Sequence, residues 1–245
     1  MMPAAQQAAA PRHRPRGWIR SSSRLAAVVQ FLLLLCPWRC RRALLRYMLG
    51  FVLAPDARIG CALILADQVL LAAGSWIGHG TVVRHLARLE LGTEARIGNF
   101  NWIVGANHPG SVFYRDLPQR ESSLLMEEQS SITHRHILDC TDRVRIGAFT
   151  VFAGCRSQIL THSVDLREAR QGCSPVSIGH HCFIGTGSIL LAGATLSDCC
   201  VLAAGSVLRG GSTQTHSLYS GVPAQRICAL DPARKFFHRD RGVVI

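Results

Sequence analysis

Histidine carries much of the acid–base chemistry that proteins perform near neutral pH, and one histidine of this chain opens a polar stretch directly after an apolar one. His162 follows the strand-like segment 158–160, and Asp165 comes three residues later. A histidine held by a rigid strand and facing a loop is well placed to act as a general base. His134 and His136 stand in an earlier polar run and are further candidates. Such separated residues need a scaffold that brings their segments together.

The scaffold is indicated by an aliphatic residue that recurs every six positions. In the C-terminal half, a small residue stands four positions after each. A period of six fits neither an amphipathic helix nor a lone alternating strand, and it is the signature of a parallel β-helix solenoid. The aliphatic positions are Ile59, Leu65, Leu71, Ile77, Val83, Leu91, Ile97, Ile103, Ile146, Phe152, Ile178, Ile184, Leu190, Leu196, Leu202 and Leu208, and the small ones are Cys182, Ser188, Ala194, Cys200, Ser206 and Ser212.

Three hexapeptides per coil would turn each aliphatic side chain inward, onto its counterpart in the next coil. No coil buries its own core, so several coils must stack. Glycine often follows the aliphatic residue, as in Ile178-Gly179, and gives the backbone freedom to turn a corner. We therefore predict an all-β chain with a β-helix over residues 56–213, insertions at 107–131 and 162–175, and a C-terminal tail over 214–245.

The N-terminal segment is strongly basic. Residues 1–55 hold nine arginines and no aspartate or glutamate, out of a net charge of +12 for the chain. We expect 1–24 to be a disordered basic tail and 25–55 to form amphipathic, apolar helices, which are too short to span a bilayer. The arginines after the apolar stretch disfavour a signal peptide. The helices could cap the solenoid or dock on an anionic membrane, and the two roles are compatible. No recognised motif supports nucleic-acid binding.

The ten cysteines indicate structural roles in a reducing compartment rather than disulfides. Cys182 and Cys200 occupy equivalent small positions one coil apart and are expected in the core. Several histidines near one cleft could instead bind a metal, as in a carbonic anhydrase. The pair His180-His181 supplies no evident third ligand, and no CxxC pair is present, so we expect no metal site.

The repeats, THSVD at 161–165, the run VSIGHHCFIGTGSILLAGATLSDCCVLAAGSVL at 176–208 and GVPAQRI at 221–227 resemble the hexapeptide-repeat acyltransferases. The resemblance is to the sugar and polysaccharide O-acetyltransferases, which include the maltose and galactoside acetyltransferases, and it covers about residues 55–228. It implies a left-handed β-helix and a homotrimer with sites between subunits. It also implies acetyl-CoA as the acyl donor and direct transfer without an acyl-enzyme.

The resemblance also implies roles for particular residues. The histidine of T-H-x-x-D, here His162 with Asp165 beside it, takes the proton from the acceptor hydroxyl. His134 and His136 are the nearest matches to the polar acceptor-binding residue of the preceding coil, where the family typically has asparagine. Small residues and one arginine match the positions that hold coenzyme A, namely Gly185, Gly187, Ala203, Ala204, Gly205 and Arg226.

From these features we predict an acetyl-CoA-dependent O-acetyltransferase that modifies a sugar or polysaccharide precursor in the bacterial cytoplasm. The basic segment 25–55 favours a place at the inner face of the membrane. Two alternatives stay open at this stage. The same base could serve N-acylation of an amino sugar or an antibiotic amine, and the chain could be a non-catalytic solenoid scaffold or a membrane-docked assembly protein.

Overall fold

The computed structural model describes residues 17–107, 113–114 and 116–244. Two α-helices precede a long series of short strands, α1 over Arg24–Leu33 and α2 over Trp38–Leu49. The strands are β1 Val52–Leu53, β2 Arg58–Ile59, β3 Leu63–Leu71, β4 Trp76–Ile77, β5 Val82–Leu91, β6 Arg96–Ile97, β7 Trp102–Val104, β8 Ser123–Met126, β9 Ser131–Ile132, β10 Ile137–Asp139, β11 Val144–Ile146, β12 Val151–Phe152, β13 Gln158–Leu160, β14 His162–Asp165, β15 Arg170–Cys173, β16 Val176–Ile178, β17 Phe183–Ile184, β18 Ile189–Leu190, β19 Thr195–Leu196, β20 Val201–Leu202, β21 Val207–Leu208, β22 Ser217–Gly221 and β23 Ala224–Ala229, before a 3₁₀-helix at Lys235–His238.

Most of the strands pair in parallel and stack into a β-helix with three faces. Face I holds β2, β4, β6, β9, β12, β17, β20 and β22. Face II holds β1, the second halves of β3 and β5, and then β8, β11, β16 and β19. Face III holds the first halves of β3 and β5, and then β7, β10, β13, β18 and β21. The chain passes from face I to III, II and I again, so it turns at three edges: I–III, III–II and II–I.

The register confirms that the six-residue period marks the inward positions. Ile178 pairs with Leu196, Ile184 with Leu202, and Leu190 with Leu208, each one coil further on. Each of these side chains is at most 3% exposed. Full burial of such a side chain contributes about 1.5–3 kcal/mol. Cys182 and Cys200 are completely buried at the predicted small positions, and all ten cysteines are free.

The two helices close the N-terminal end of the β-helix. The side-chain amide of Gln30 donates to the carbonyl oxygen of Ile64 and accepts from its N–H group. The buried guanidinium of Arg41 donates to the carbonyls of Ile59, Gly60 and Ala62. These backbone groups belong to β2, the first half of β3 and the turn between them, and no earlier strand of the described chain pairs with this part of the first coil. The helices therefore satisfy the polar edge that the solenoid leaves open.

The structure differs from two of the predicted boundaries. Residues 1–16 of the expected disordered tail lie outside the described residues. In the part from residue 17, Ser21 is buried, and Arg20 forms an ion pair with Asp67 in β3. The first insertion ends before β8 rather than at residue 131. The reason is that Met126 stands six positions before Ile132 and takes the inward position of a regular coil.

The C-terminal tail folds back over the outside of face I. Strand β23 pairs antiparallel with β22, and the 3₁₀-helix packs Phe236 against Phe183 of β17. A cleft of about 530 Å³ lies between this tail and face I and is lined mainly by apolar side chains. The second insertion is an exposed antiparallel hairpin of β14 and β15.

Candidate functional site

His162 lies at the III–II edge, where the chain leaves β13 and enters the hairpin. Its Nδ1 is 2.7 Å from Oδ2 of Asp139, and its main-chain N–H donates to the same oxygen at 2.9 Å. Because a carboxylate accepts hydrogen bonds, this contact places the ring proton on Nδ1 and leaves the lone pair on Nε2. The imidazole is about half exposed, at 48%, so Nε2 is available to a substrate.

Asp139 ends β10, one coil before His162, and is held by a dense set of donors. Oδ1 accepts from the N–H and hydroxyl of Thr141, and Oδ2 accepts from the N–H and hydroxyl of Thr161. Burial raises the pKa of this carboxyl, but the hydrogen bonds from Thr141 and His162 outweigh burial, so the pKa is lowered. Asp139 is therefore ionised at neutral pH and fixes both the orientation and the tautomer of His162.

The two insertions meet beside this pair. The hydroxyl of Tyr114 donates to the side chain of Gln171 in the hairpin at 2.8 Å. Arg120 donates to the carbonyl of Thr141 at 2.6 Å, and its guanidinium lies 4.9 Å from the ring centroid of Tyr114. Burial, followed by the charge of Asp139, raises the pKa of Tyr114. The insertions thus build one wall of a site whose floor is the end of face III.

Asp165 does not contact His162 in the way that Asp139 does. It pairs across the hairpin with Arg170, and its carboxylate accepts from the backbone N–H groups of Arg167 and Glu168. These bonds stabilise the turn of the hairpin. The structure therefore gives Asp165 a role in shaping the loop that His162 opens.

The structure separates His134 and His136 from His162. Both lie at the I–III edge, at the other end of the face III strands. His134 is exposed and accepts from the N–H of Asn99, and it borders the cleft under the tail. His136 is completely buried, accepts from the N–H of Ser157 and contacts Thr133. This burial conflicts with the prediction that His136 binds an acceptor. Its position four residues after Ile132 is the inward corner position, which is the sequence signal for burial.

The small residues predicted to hold coenzyme A share the I–III edge in two successive coils. An added Cβ on Gly187 or Gly205, both at positive φ, would meet nothing within 4 Å. At Gly185 it would meet the backbone of Ala204 at 2.4 Å, so this glycine is required for close stacking of coils. The N–H groups of Gly185, Gly187, Ala203 and Gly205 already donate within the solenoid. What this edge offers a ligand is therefore open space along an exposed strip.

Arg226 lies on β23, the outermost strand beyond face I, and is exposed. Its Nε donates to the hydroxyl of Ser217 at 3.0 Å. This bond fixes the base of the guanidinium and leaves its terminal N–H groups available to an anion such as a phosphate.

A second histidine–aspartate pair lies at the II–I edge. His180 Nε2 is 3.1 Å from Asp198 Oδ2, with the two side chains 50% and 45% exposed. The other ring nitrogen, Nδ1, is 3.1 Å from Nδ1 of His181. Within the described part of the chain, no group of three or more His, Cys, Asp or Glu side chains is arranged to hold a metal ion.

Four residues of the site were missed by the sequence reasoning: Asp139, Thr141, Tyr114 and Arg120. Asp139 carries a usable signal, because it follows the inward Leu138, and Leu138 stacks on Ile159 just before His162. Aligning the coils would have placed this aspartate beneath Thr161 and His162. Tyr114 and Arg120 lie in an insertion without repeat, and no comparable signal marks them.

A comparison with protein families supports the repeat directly. A model described as the hexapeptide repeat of succinyl-transferase matches residues 175–209, the segment that holds β16 to β21. The hexapeptide repeat predicted from the sequence is confirmed in this segment. A comparison with curated protein sequences finds no match.

The chain is also similar to solved structures of acyltransferases. One is a hexapeptide-repeat acetyltransferase from Vibrio cholerae in complex with acetyl-CoA, with 17% identity, 85% of this chain and 87% of that chain covered, and a TM-score of 0.44. Another is a variant of the N-acyltransferase AntD from Bacillus cereus with dTDP and coenzyme A, with 12% identity, 74% and 82% covered, and a TM-score of 0.42. A third is the polysialic acid O-acetyltransferase OatWY, with 12% identity, 72% and 83% covered, and a TM-score of 0.44.

Proposed function

We propose that this protein is an acyl-CoA-dependent acyltransferase that moves an acetyl group from acetyl-CoA to a hydroxyl of a sugar or polysaccharide precursor. The observation that carries the proposal is the pair of His162 and Asp139. It combines an ionised, mostly buried carboxylate on Nδ1 with an imidazole that is about half exposed, and this is the arrangement of a general base. The motifs at 161–165 and 176–208, which resemble sugar O-acetyltransferases, support the substrate class.

The reaction proceeds by direct transfer. Nε2 of His162 accepts the proton of the acceptor hydroxyl as its oxygen attacks the thioester carbonyl carbon. The carbon–sulfur bond then breaks, and the proton passes from His162 to the departing thiolate, which gives the acetyl ester and free coenzyme A. Asp139 remains ionised and stabilises the imidazolium that forms between the two proton transfers.

The exposed strip at the I–III edge is where we place the donor. Gly187 and Gly205 leave room for the narrow pantetheine arm, and the terminal N–H groups of Arg226 suit a phosphate of coenzyme A. Within one chain this strip and His162 lie at opposite ends of the face III strands. Six residues of extended chain separate such ends, which is up to about 20 Å.

This separation supports a site shared between subunits. We propose that the chain forms a homotrimer of left-handed β-helices, in which the strip of one subunit faces the His162 edge of the next. The wall of Tyr114, Arg120 and Gln171 then borders the acceptor. In this proposal the enzyme acts in the cytoplasm, on a precursor made there.

The test is release of free thiol from acetyl-CoA against a panel of sugars, comparing wild type with His162→Ala. We expect acceptor-dependent release that falls about a hundredfold or more in the variant, the scale of losing a general base. His180→Ala is the matched control, because it removes a histidine that also contacts an aspartate, and it should keep wild-type activity. Equal rates for wild type and His162→Ala would reject His162 as the base.

The acceptor panel also separates the alternatives. Amino sugars placed beside their hydroxyl counterparts distinguish O-acylation from N-acylation, since only the amine gives an amide stable to mild base. If wild type binds no coenzyme A by calorimetry and releases no thiol, the enzyme proposal is rejected in favour of a scaffold.

A further inference from the structure

Helix α1 is apolar on its outer side as well as on the side that packs on the first coil. Its inner side buries Ala26, Gln30 and Leu33. The outward side chains recur at helical spacing and continue past the C-terminus of the helix. They are Leu25 at 58% exposed, Val28 at 57%, Phe31 at 72%, Leu32 at 59% and Leu35 at 88%. A helix that is apolar all round is normally covered on both sides, and an exposed apolar stripe of this kind marks an interaction surface.

Helices α1 and α2, with the residues from Gly17 that lead into them, form the cap of the β-helix. Helix α2 places basic and aromatic groups on this cap. Arg39, Arg46 and Tyr47 are exposed at helical spacing along it, and Tyr47 contacts the exposed Trp18 with ring centroids 5.5 Å apart. Arg24 is exposed at the start of α1. Among the described residues, none of these three arginines has an ion-pair partner. The cap therefore carries an apolar stripe with uncompensated positive charge around it.

We propose that this cap docks the protein on an anionic membrane surface, with the outer stripe of α1 inserted among the lipids and the arginines on the headgroups. The inference goes beyond the proposed acyl transfer and does not depend on it. Helix α1 is 10 residues long, about 15 Å at 1.5 Å per residue, and no helix of the described chain is long and apolar enough to cross a bilayer. The cap thus lies in the plane of the interface.

Charge selects lipid over a second copy of the chain as the occupant. Residues 1–55 carry nine arginines without a single acidic residue. Two such caps face to face would bring arginine against arginine, whereas anionic headgroups attract each exposed, unpaired arginine by about 1 kcal/mol. The solenoid extends away from the other side of the cap, so docking leaves the III–II edge with His162 open to the solvent.

The experiment is co-sedimentation of the full-length protein with vesicles of phosphatidylcholine alone and of phosphatidylcholine mixed with phosphatidylglycerol. We expect binding to the mixed vesicles and little binding to the neutral ones. Phe31→Ser combined with Leu35→Ser should weaken binding about a hundredfold. Arg39→Gln combined with Arg46→Gln should weaken it about 30-fold and reduce its sensitivity to salt.

The matched control is Val222→Ser combined with Ile227→Ser, which removes two exposed apolar side chains, at 73% and 60%, from the C-terminal hairpin. It should bind vesicles like wild type. All four altered side chains of the stripe and the control are exposed, so thermal unfolding should be unchanged. The proposal is overturned if the wild-type protein does not bind the mixed vesicles, or if it binds both types of vesicle equally well. It is also overturned if Phe31→Ser with Leu35→Ser lowers the oligomer mass in sedimentation velocity, because a second copy would then cover the stripe.

Discussion

Two edges of the β-helix each carry a histidine beside an aspartate. The two pairs differ in the exposure of the carboxylate, in its hydrogen-bond donors and in the segments that flank it. At the III–II edge, the carboxylate of Asp139 is 15% exposed and accepts from two threonines besides His162. At the II–I edge, Asp198 is 45% exposed, and its additional bond is to the main-chain N–H of His180 itself. Insertions flank the first pair, while the second lies at a corner of the repeat without an insertion, beside the C-terminal tail that contacts His181.

The difference teaches that a histidine–carboxylate contact does not by itself make a site. In the first pair the carboxylate engages Nδ1 of an imidazole that is about half exposed, whereas in the second both ring nitrogens have neighbours, Asp198 and His181. Buried donors keep Asp139 ionised and immobile, while solvent screens the exposed pair and makes it worth little. Only the first arrangement holds an imidazole in one orientation next to a loop-lined surface.

The largest expected effect comes from removing the charge of Asp139. Asp139→Asn should lower kcat about a hundredfold or more, because His162 loses the acceptor that fixes its tautomer and stabilises its protonated form. KM for acetyl-CoA should change little, since Asp139 acts through His162 and does not belong to the strip in which we place the donor. Steady-state thiol release measures both parameters.

Asp198→Asn is the control for that prediction and should leave kcat near the wild-type value. Melting temperatures of both variants exclude loss of the fold as the cause. A loss of activity in Asp198→Asn as large as in Asp139→Asn would break the distinction between the two edges.

The I–III edge also holds a histidine, the buried His136, and here the prediction concerns stability rather than activity. Burial, and then the charge of His134, lower the pKa of His136 to about 4 from 6.5. Between pH 6.5 and about 4, His136 therefore binds a proton in the unfolded chain but not in the folded chain. This contribution to stability is complete above pH 6.5 and is lost as the pH falls towards 4, by about 3 kcal/mol. Urea unfolding at pH 7 and near pH 4.5 measures the loss.

Because other groups also titrate in this range, His136→Gln is the reference for that measurement, and its unfolding free energy should depend less on pH. If the variant does not fold, NMR of the wild-type imidazole gives the same information. A His136 resonance that titrates near pH 6.5 in the folded protein would contradict the predicted burial effect.

The smallest expected effect concerns the wall beside His162. Tyr114→Phe removes the hydroxyl that bonds to Gln171 and should cost about 1 kcal/mol or less. We expect KM for the acceptor to rise up to about fivefold with kcat unchanged, because the wall positions the acceptor and takes no part in proton transfer. Tyr47→Phe on the cap is the control. A fall in kcat with unchanged acceptor KM would assign Tyr114 to the chemistry instead.

Much of the fold follows from the hexapeptide period and from the spacing of apolar residues, both of which are visible in the sequence. An inward aliphatic residue in every hexapeptide can be buried only by stacking coils, so Ile184 and Leu202 had to meet. The helices over 25–55 were predicted from composition and spacing. The coil containing Met126 was missed because methionine replaces an aliphatic residue there and charged residues surround it.

The sequence by itself determined the six-residue repeat and the residues that point into the core, and it singled out His162 as a candidate. Each of these depends on neighbours along the chain or on a period. Only the tertiary structure decided that Asp139, rather than Asp165, contacts His162. Stacking places residues one coil apart side by side, while residues three positions apart on a strand point to opposite sides. The structure alone also showed that Gln30 and Arg41 close the first coil and that one stripe of α1 stays uncovered. Both outcomes depend on how the helices are oriented against the solenoid, and no local pattern specifies that orientation.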